Sequence, residues 1–139
     1  MYLLDTNVIS ELRRPRPHGA VLAWVKKTAD DDLHLSATTI GELQAGLEIT
    51  REQDPEKAAE IEAWIDRVAE TWNVVPVDGR VFRTWAKLMH RRSDHLLEDA
   101  LIAATAIVHH FVVVTRNIRD FAVFEVDTID PWKTTTSDR

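Results

Sequence analysis

The chain opens on a short apolar run, Met1-Tyr2-Leu3-Leu4, that ends on Asp5 and turns straight into Thr6-Asn7-Val8-Ile9-Ser10. A buried strand that finishes on a carboxylate and passes into a helix is a constrained arrangement. Open α/β sheets bind their ligands outside the carboxyl ends of their strands, which is where this carboxylate falls. The rest of the chain repeats the alternation. Tyr2 to Leu4, Leu33 to Ser36, Val74 to Val77, Phe111 to Thr115 and Val123 to Ile129 read as strands by their apolar and β-branched content.

Helical spacing occupies the segments between. The expected helices are Thr6 to about Leu12, Ala20 to Lys27, Thr38 or Thr39 to about Ile49, and Pro55 to about Trp72. A further helix capped by Asp78 carries Val81, Phe82, Trp85 and Leu88, and an almost wholly apolar one spans Leu96 to Val108. Strands alternating with helices predict a single α/β domain, a central parallel sheet with helices on both faces. We place that domain at residues 1–132 and expect 133–139 to be a polar, frayed tail.

Composition narrows the chemistry. A chain of 139 residues fits one domain with its own core. It holds no cysteine, so thiol catalysis and thiolate metal sites are excluded. The apolar opening lacks the length and basic flank of a signal peptide, and the stretch from Ala100 to Val114 is interrupted by His109-His110 and too short to span a membrane. A cytoplasmic enzyme or binding module is the expectation. The net charge of −6 argues against a coat protein for nucleic acid, but not against an enzyme that holds phosphates through metal ions. The six histidines show no ligand spacing, and four glycines supply no phosphate loop.

Several acids stand in costly settings. Asp5 caps a helix in its bland reading, although Thr6 or Asn7 serves that role equally well. Glu42 lies opposite the Ile40, Leu43 and Leu47 stripe, on a face of small residues (Ala45, Gly46) that predicts close approach of another backbone. Asp99 shares a face with Ile102, Ala103 and Ala106 in the most apolar helix, where an unpaired carboxylate is expensive. Its bland reading is a contact with the helix dipole. Asn117, followed three residues later by Asp120, has the spacing of a capping box. If such acids converge, their repulsion calls for a cation among them.

The ordered set of segments is similar to the PIN-domain ribonucleases, and among them to the VapC-like toxins of toxin–antitoxin pairs. The matching stretches are Leu3-Leu4-Asp5-Thr6-Asn7-Val8-Ile9-Ser10, Ser36-Ala37-Thr38-Thr39-Ile40-Gly41-Glu42-Leu43, Asp99-Ala100-Leu101-Ile102-Ala103-Ala104-Thr105-Ala106, Val113-Val114-Thr115-Arg116-Asn117-Ile118-Arg119-Asp120-Phe121 and Asp130-Pro131-Trp132. The resemblance implies a pocket in which Asp5, Glu42 and Asp99 hold magnesium or manganese. It also implies RNA cleavage, a homodimer, and inhibition by a small antitoxin that blocks the pocket. The fourth acid of many members falls at the uncharged Asn117; either Asp120 substitutes, or a second metal arrives only with substrate.

On that basis Asp5 and Asp99 are expected as direct ligands, Glu42 as a ligand or an orienter of water, and Asn117 as polar support. Thr6 and Thr115 have hydroxyls suited to a carboxylate or a phosphate oxygen. Arg116, next to the acids, is the expected substrate contact. The antitoxin is expected to insert a basic side chain among the carboxylates. Two rival readings fit less well. A phosphotransfer enzyme wants a second aspartate where Asn7 stands, and a phospho-receiver needs an aspartate and a lysine that this chain lacks at the required strand ends. A PIN-like fold used only for binding is the other alternative.

Overall fold

The computed structural model describes residues 1–134, so the part of the expected polar tail at 135–139 lies outside the described residues. The elements follow in the order β1 (Tyr2–Leu4), α1 (Thr6–Arg13), α2 (Gly19–Lys27), β2 (Leu33–Ser36), α3 (Ala37–Gln53), α4 (Pro55–Thr71), β3 (Asn73–Val75), α5 (Gly79–Met89), α6 (Leu97–His109), β4 (Val112–Val114), α7 (Ile118–Ala122) and β5 (Thr128–Ile129). The five strands are all parallel and lie in the order β3-β2-β1-β4-β5.

Strand periodicity explains why β1 sits in the middle. Successive side chains point to opposite faces, and both faces of β1 are covered. Leu4 joins Val114 in a cluster with Val8, Ile9, Val21, Trp24 and Val68 from α1, α2 and α4. Leu3 joins Val113 in a second cluster with Ala100, Ile102, Ala103 and Phe121 from α6 and α7. Leu3, Leu4, Val113 and Val114 are all inaccessible to solvent. A helix pair, α3 and α4, packs through Leu47, Ala58 and Ile65 in a third, smaller cluster.

The strand order places the chemistry. From β1 the chain steps outward to β2 and β3, then returns past β1 to β4. The carboxyl ends of β1 and β4 therefore flank the point where the winding reverses, the position at which open α/β sheets form a crevice. Asp5 leaves one of these strands and Thr115 the other. The Asp5 backbone N–H donates to the Val114 carbonyl at 2.8 Å, which locks the two strand ends side by side.

The capping chemistry mostly follows the sequence. Asp54 accepts from the Lys57 N–H ahead of Pro55, and Asp78 accepts from the Val81 N–H at 3.0 Å. Other details differ. Helix α3 is capped by Ser36, whose hydroxyl accepts from the Thr38 N–H at 3.0 Å, and it extends to Gln53 rather than ending near Ile49. The small-residue face of α3 is open: among the described residues nothing packs within 4 Å of a Cβ built at Gly41 or Gly46, and Ile49 is exposed. Small residues permit a close approach without causing one.

The segment Val123 to Ile129 is a strand only at Thr128–Ile129. Ahead of it α7 ends in a turn, with Glu125 in the left-handed region at φ 57°. The alternation of Val123, Phe124 and Val126 resembles a strand because Phe124 is buried beneath α6, whereas Val123 is exposed. Asn117 is the N-cap of α7, but its side chain makes no capping bond, so the capping box with Asp120 does not form.

Candidate active site

Asp5 is buried, and both of its carboxylate oxygens are held. Oδ1 accepts from the Thr6 backbone N–H at 2.8 Å. Oδ2 accepts from the Thr115 hydroxyl at 2.8 Å and from the Asn7 side-chain amide at 3.1 Å. A carboxylate offers about four lone-pair directions, so these three bonds orient it and leave one direction open. The cap reading and the site reading of Asp5 are thus both satisfied. Thr115 is completely buried, and its oxygen also accepts from the Asn117 backbone N–H at 3.0 Å. Its hydroxyl hydrogen is thus committed to the Asp5 carboxylate.

Glu42 projects from the first turns of α3. The Thr6 hydroxyl lies 2.8 Å from Glu42 Oε1 and 3.0 Å from the Thr39 hydroxyl, so the start of α1 is tied to α3 beside the acid. Asp99 comes from the first turn of α6, where its carboxylate meets both the positive end of the helix and the site. Asp5, Glu42 and Asp99 line one cavity of about 520 Å³, together with Thr6, Asn7, Arg116 and Asn117.

All three acids are harder to ionise than usual. Burial raises Asp5, opposed by its bonds to Thr115 and Thr6. Burial, followed by a hydrogen bond with Glu98, pushes Glu42 up to about 8. Burial, followed by the charges of Asp5, Asp120 and Glu98, pushes Asp99 up to about 6. No arginine or lysine among the described residues forms an ion pair with any of the three. Buried carboxylates that repel and go unpaired are what a divalent cation relieves.

The donor set fits a hard ion that keeps part of its water shell. The groups able to ligate a metal there are carboxylates, hydroxyls and amides, which suit magnesium or manganese better than zinc. Asn7 lines the cavity too, and its buried Oδ1 has no hydrogen-bond partner among the described residues. Among the described residues no three acid or imidazole side chains stand close enough to grip one ion directly. The cavity has the room for intervening water, and magnesium commonly binds through one or two carboxylates with several waters retained.

Some residues sit differently from expectation. Asp120 is exposed and lines a neighbouring cavity with Arg119 and Lys133, although its charge reaches Asp5 and Asp99. Glu98, exposed beside Asp99, stands close enough to Glu42 to help raise its pKa. Glu11 is buried on the cavity wall, where its bond from the His18 backbone N–H, at 2.9 Å, lowers its pKa; Arg14 pairs with it at 3.3 Å. Spacing had a signal for Glu11, because it falls one turn beyond Asn7 on α1, and for Glu98 none beyond its adjacency to Asp99.

A family profile described as PIN domain matches residues 2–126. The chain is a PIN domain. Relatives match it over nearly their whole length. The VapC ribonuclease Y4jK of Sinorhizobium fredii is 37% identical over 144 residues, covering 96% of this chain and 99% of that protein. Toxin FitB of Neisseria gonorrhoeae is 32% identical over 142 residues, covering 95% and 99%. The crystal structure of FitAcB from Neisseria gonorrhoeae matches this PIN domain with a TM-score of 0.84 at 31% identity, over 96% of this chain and 100% of that one. This PIN domain therefore stands among the VapC-like toxins by sequence and by fold. Among its described residues no helix is long and apolar enough to cross a membrane.

Proposed function

We propose that this PIN domain is a metal-dependent endoribonuclease, the toxin of a toxin–antitoxin pair, acting through Asp5, Glu42 and Asp99 with Asn117 in support. The observation that carries the reading is the shared cavity lined by three acids of raised pKa, none of them ion-paired among the described residues. The relatives named as a VapC ribonuclease and as toxin FitB support the activity and the toxin role. When bound, magnesium or manganese supplies positive charge for the phosphodiester and makes a nearby water easier to deprotonate.

The protein's own part is positioning and proton transfer. Thr6, Thr115 and Asn7 fix the Asp5 carboxylate at the cavity wall. Glu42, whose pKa burial pushes up to about 8 and whose carboxyl is anchored by the Thr6 hydroxyl, is suited to orient the attacking water and, once ionised, to take its proton. That water forms a new P–O bond, one P–O bond of the chain breaks, and the departing oxygen takes up a proton. Arg116 on the rim is the contact for a strand phosphate.

The partner in this reading is an antitoxin that inserts a basic side chain among the acids, and the protein self-associates as a homodimer. The solved FitAcB relative supports a cognate partner. A fork of guanidinium N–H donors matches the carboxylate geometry and competes with metal. Cleavage of single-stranded RNA by purified protein tests the activity. Magnesium or manganese is expected to support it and excess chelator to stop it. Undiminished cleavage in chelator removes the metal from the mechanism, and no cleavage under any divalent condition favours the binding-only alternative.

A further inference from the structure

Arg116 stands on a divide. It lines the acid cavity, and it also lines the neighbouring cavity of about 570 Å³ whose wall carries Arg119 and Lys133. A guanidinium on the same wall as Asp5 and Asp99 is drawn toward them, because arginine–carboxylate pairs are among the strongest polar contacts. Arg116 forms no such pair among the described residues. Its guanidinium lies instead over the indole of Trp132, 5.0 Å from the ring centroid.

Trp132 is well placed to hold it. The residue is half-buried, packs against the cluster that contains Leu4, Ile9 and Val114, and also lines the acid cavity. Its backbone N–H donates to Asp130 Oδ1 at 2.9 Å, which fixes the chain just after β5. The indole is thus a supported shelf. A cation over its face is attracted by the ring quadrupole, and tryptophan provides the strongest such attraction.

We propose that Trp132 is a positioning residue that keeps the Arg116 guanidinium on the rim, away from the carboxylates. The acids then remain open to a divalent cation, and the arginine N–H groups remain open to a phosphate of the bound strand. This inference rests on the ribonuclease reading. Without the shelf, Arg116 turns inward, pairs with Asp5 or Asp99, and competes with metal. It then does from within the chain what a partner's basic side chain does from outside.

The test is a double-mutant cycle read by manganese affinity, measured calorimetrically on the full chain at one fixed pH. Trp132→Ala is expected to bind manganese about tenfold more weakly than wild type. Arg116→Ala is expected to bind at least as tightly as wild type. The combined variant should match Arg116→Ala, because the competing cation is gone. Trp132→Phe should keep most of the wild-type affinity, since it retains an aromatic face. Should Trp132→Ala fail to fold, Trp132→Leu takes its place in the cycle, filling the space without a π face.

Wild-type affinity in the shelf-less variant overturns the proposal. So does a combined variant as weak as the shelf-less one, which makes the loss structural. The two readings fail separately. A wild-type protein that binds no manganese sinks the metal-dependent reading itself, whereas normal binding with no coupling between Trp132 and Arg116 sinks only the shelf.

Discussion

Asp5→Asn is expected to lower RNA cleavage at least about a thousandfold, equivalent to about 4 kcal/mol of transition-state stabilisation, while the protein stays folded. The substitution is nearly isosteric. Its amide oxygen can still accept from the Thr6 N–H, so the cap of α1 survives. What disappears is the charge, and the bonds from Thr115 and Asn7, both made to Oδ2, must rearrange around the amide nitrogen. Asp120→Asn is the internal comparison. Asp120 lies in the adjacent cavity and acts on Asp5 and Asp99 only through its charge, so a reduction of about tenfold or less is expected. Initial rates of cleavage for the two variants decide. Equal inactivity would move Asp120 into the site beside Asp5.

The second large effect is with pH. Glu42 and Asp99 ionise near 8 and 6 in the folded protein, against ordinary values of 4.5 and 3.8. Their raised values mean that the folded state holds more protons than the unfolded one over this interval. Stability of the metal-free protein therefore falls as pH rises from near 4 to near 8, and is highest at the acidic end of that window. Metal affinity runs the other way, because ligands must lose their protons before they bind. Between pH 6 and pH 8 the apparent manganese affinity should strengthen by on the order of tenfold or more. Calorimetric titrations across that range measure it. An affinity independent of pH would mean that neither Glu42 nor Asp99 gives up a proton to the metal.

Much of this arrangement was legible in the sequence because backbone and side chain agree there. Leu3 and Leu4 cannot both be buried on a one-sided strand, so the central position of β1 follows from its residues and from the periodicity of the pleat. The acids stood out for the same reason: Asp99 inside an apolar helix demands a partner. Tertiary position was harder to read. Nothing local shows that α6 starts beside α3, so the effect of the exposed Glu98 on Glu42 is not readable from the sequence. Trp132 lies outside any helix or strand, so periodicity says nothing of its place on the cavity wall. The last strand was overextended because burial of Phe124 under a helix imitates burial in a sheet.

The central claim is that Asp99 belongs to a cation site and does not merely serve the dipole of α6. Thermal melts of wild type and Asp99→Asn, each in chelator and in magnesium, test it most directly. With three repelling acids in one cavity, neutralising Asp99 should raise or leave unchanged the melting temperature of the metal-free protein. Magnesium should stabilise wild type by about 2.7 kcal/mol at a hundredfold excess over its dissociation constant, and the variant should lose most of that gain. A variant destabilised by about 0.3–1 kcal/mol that still responds fully to magnesium would contradict the account and return Asp99 to its helix.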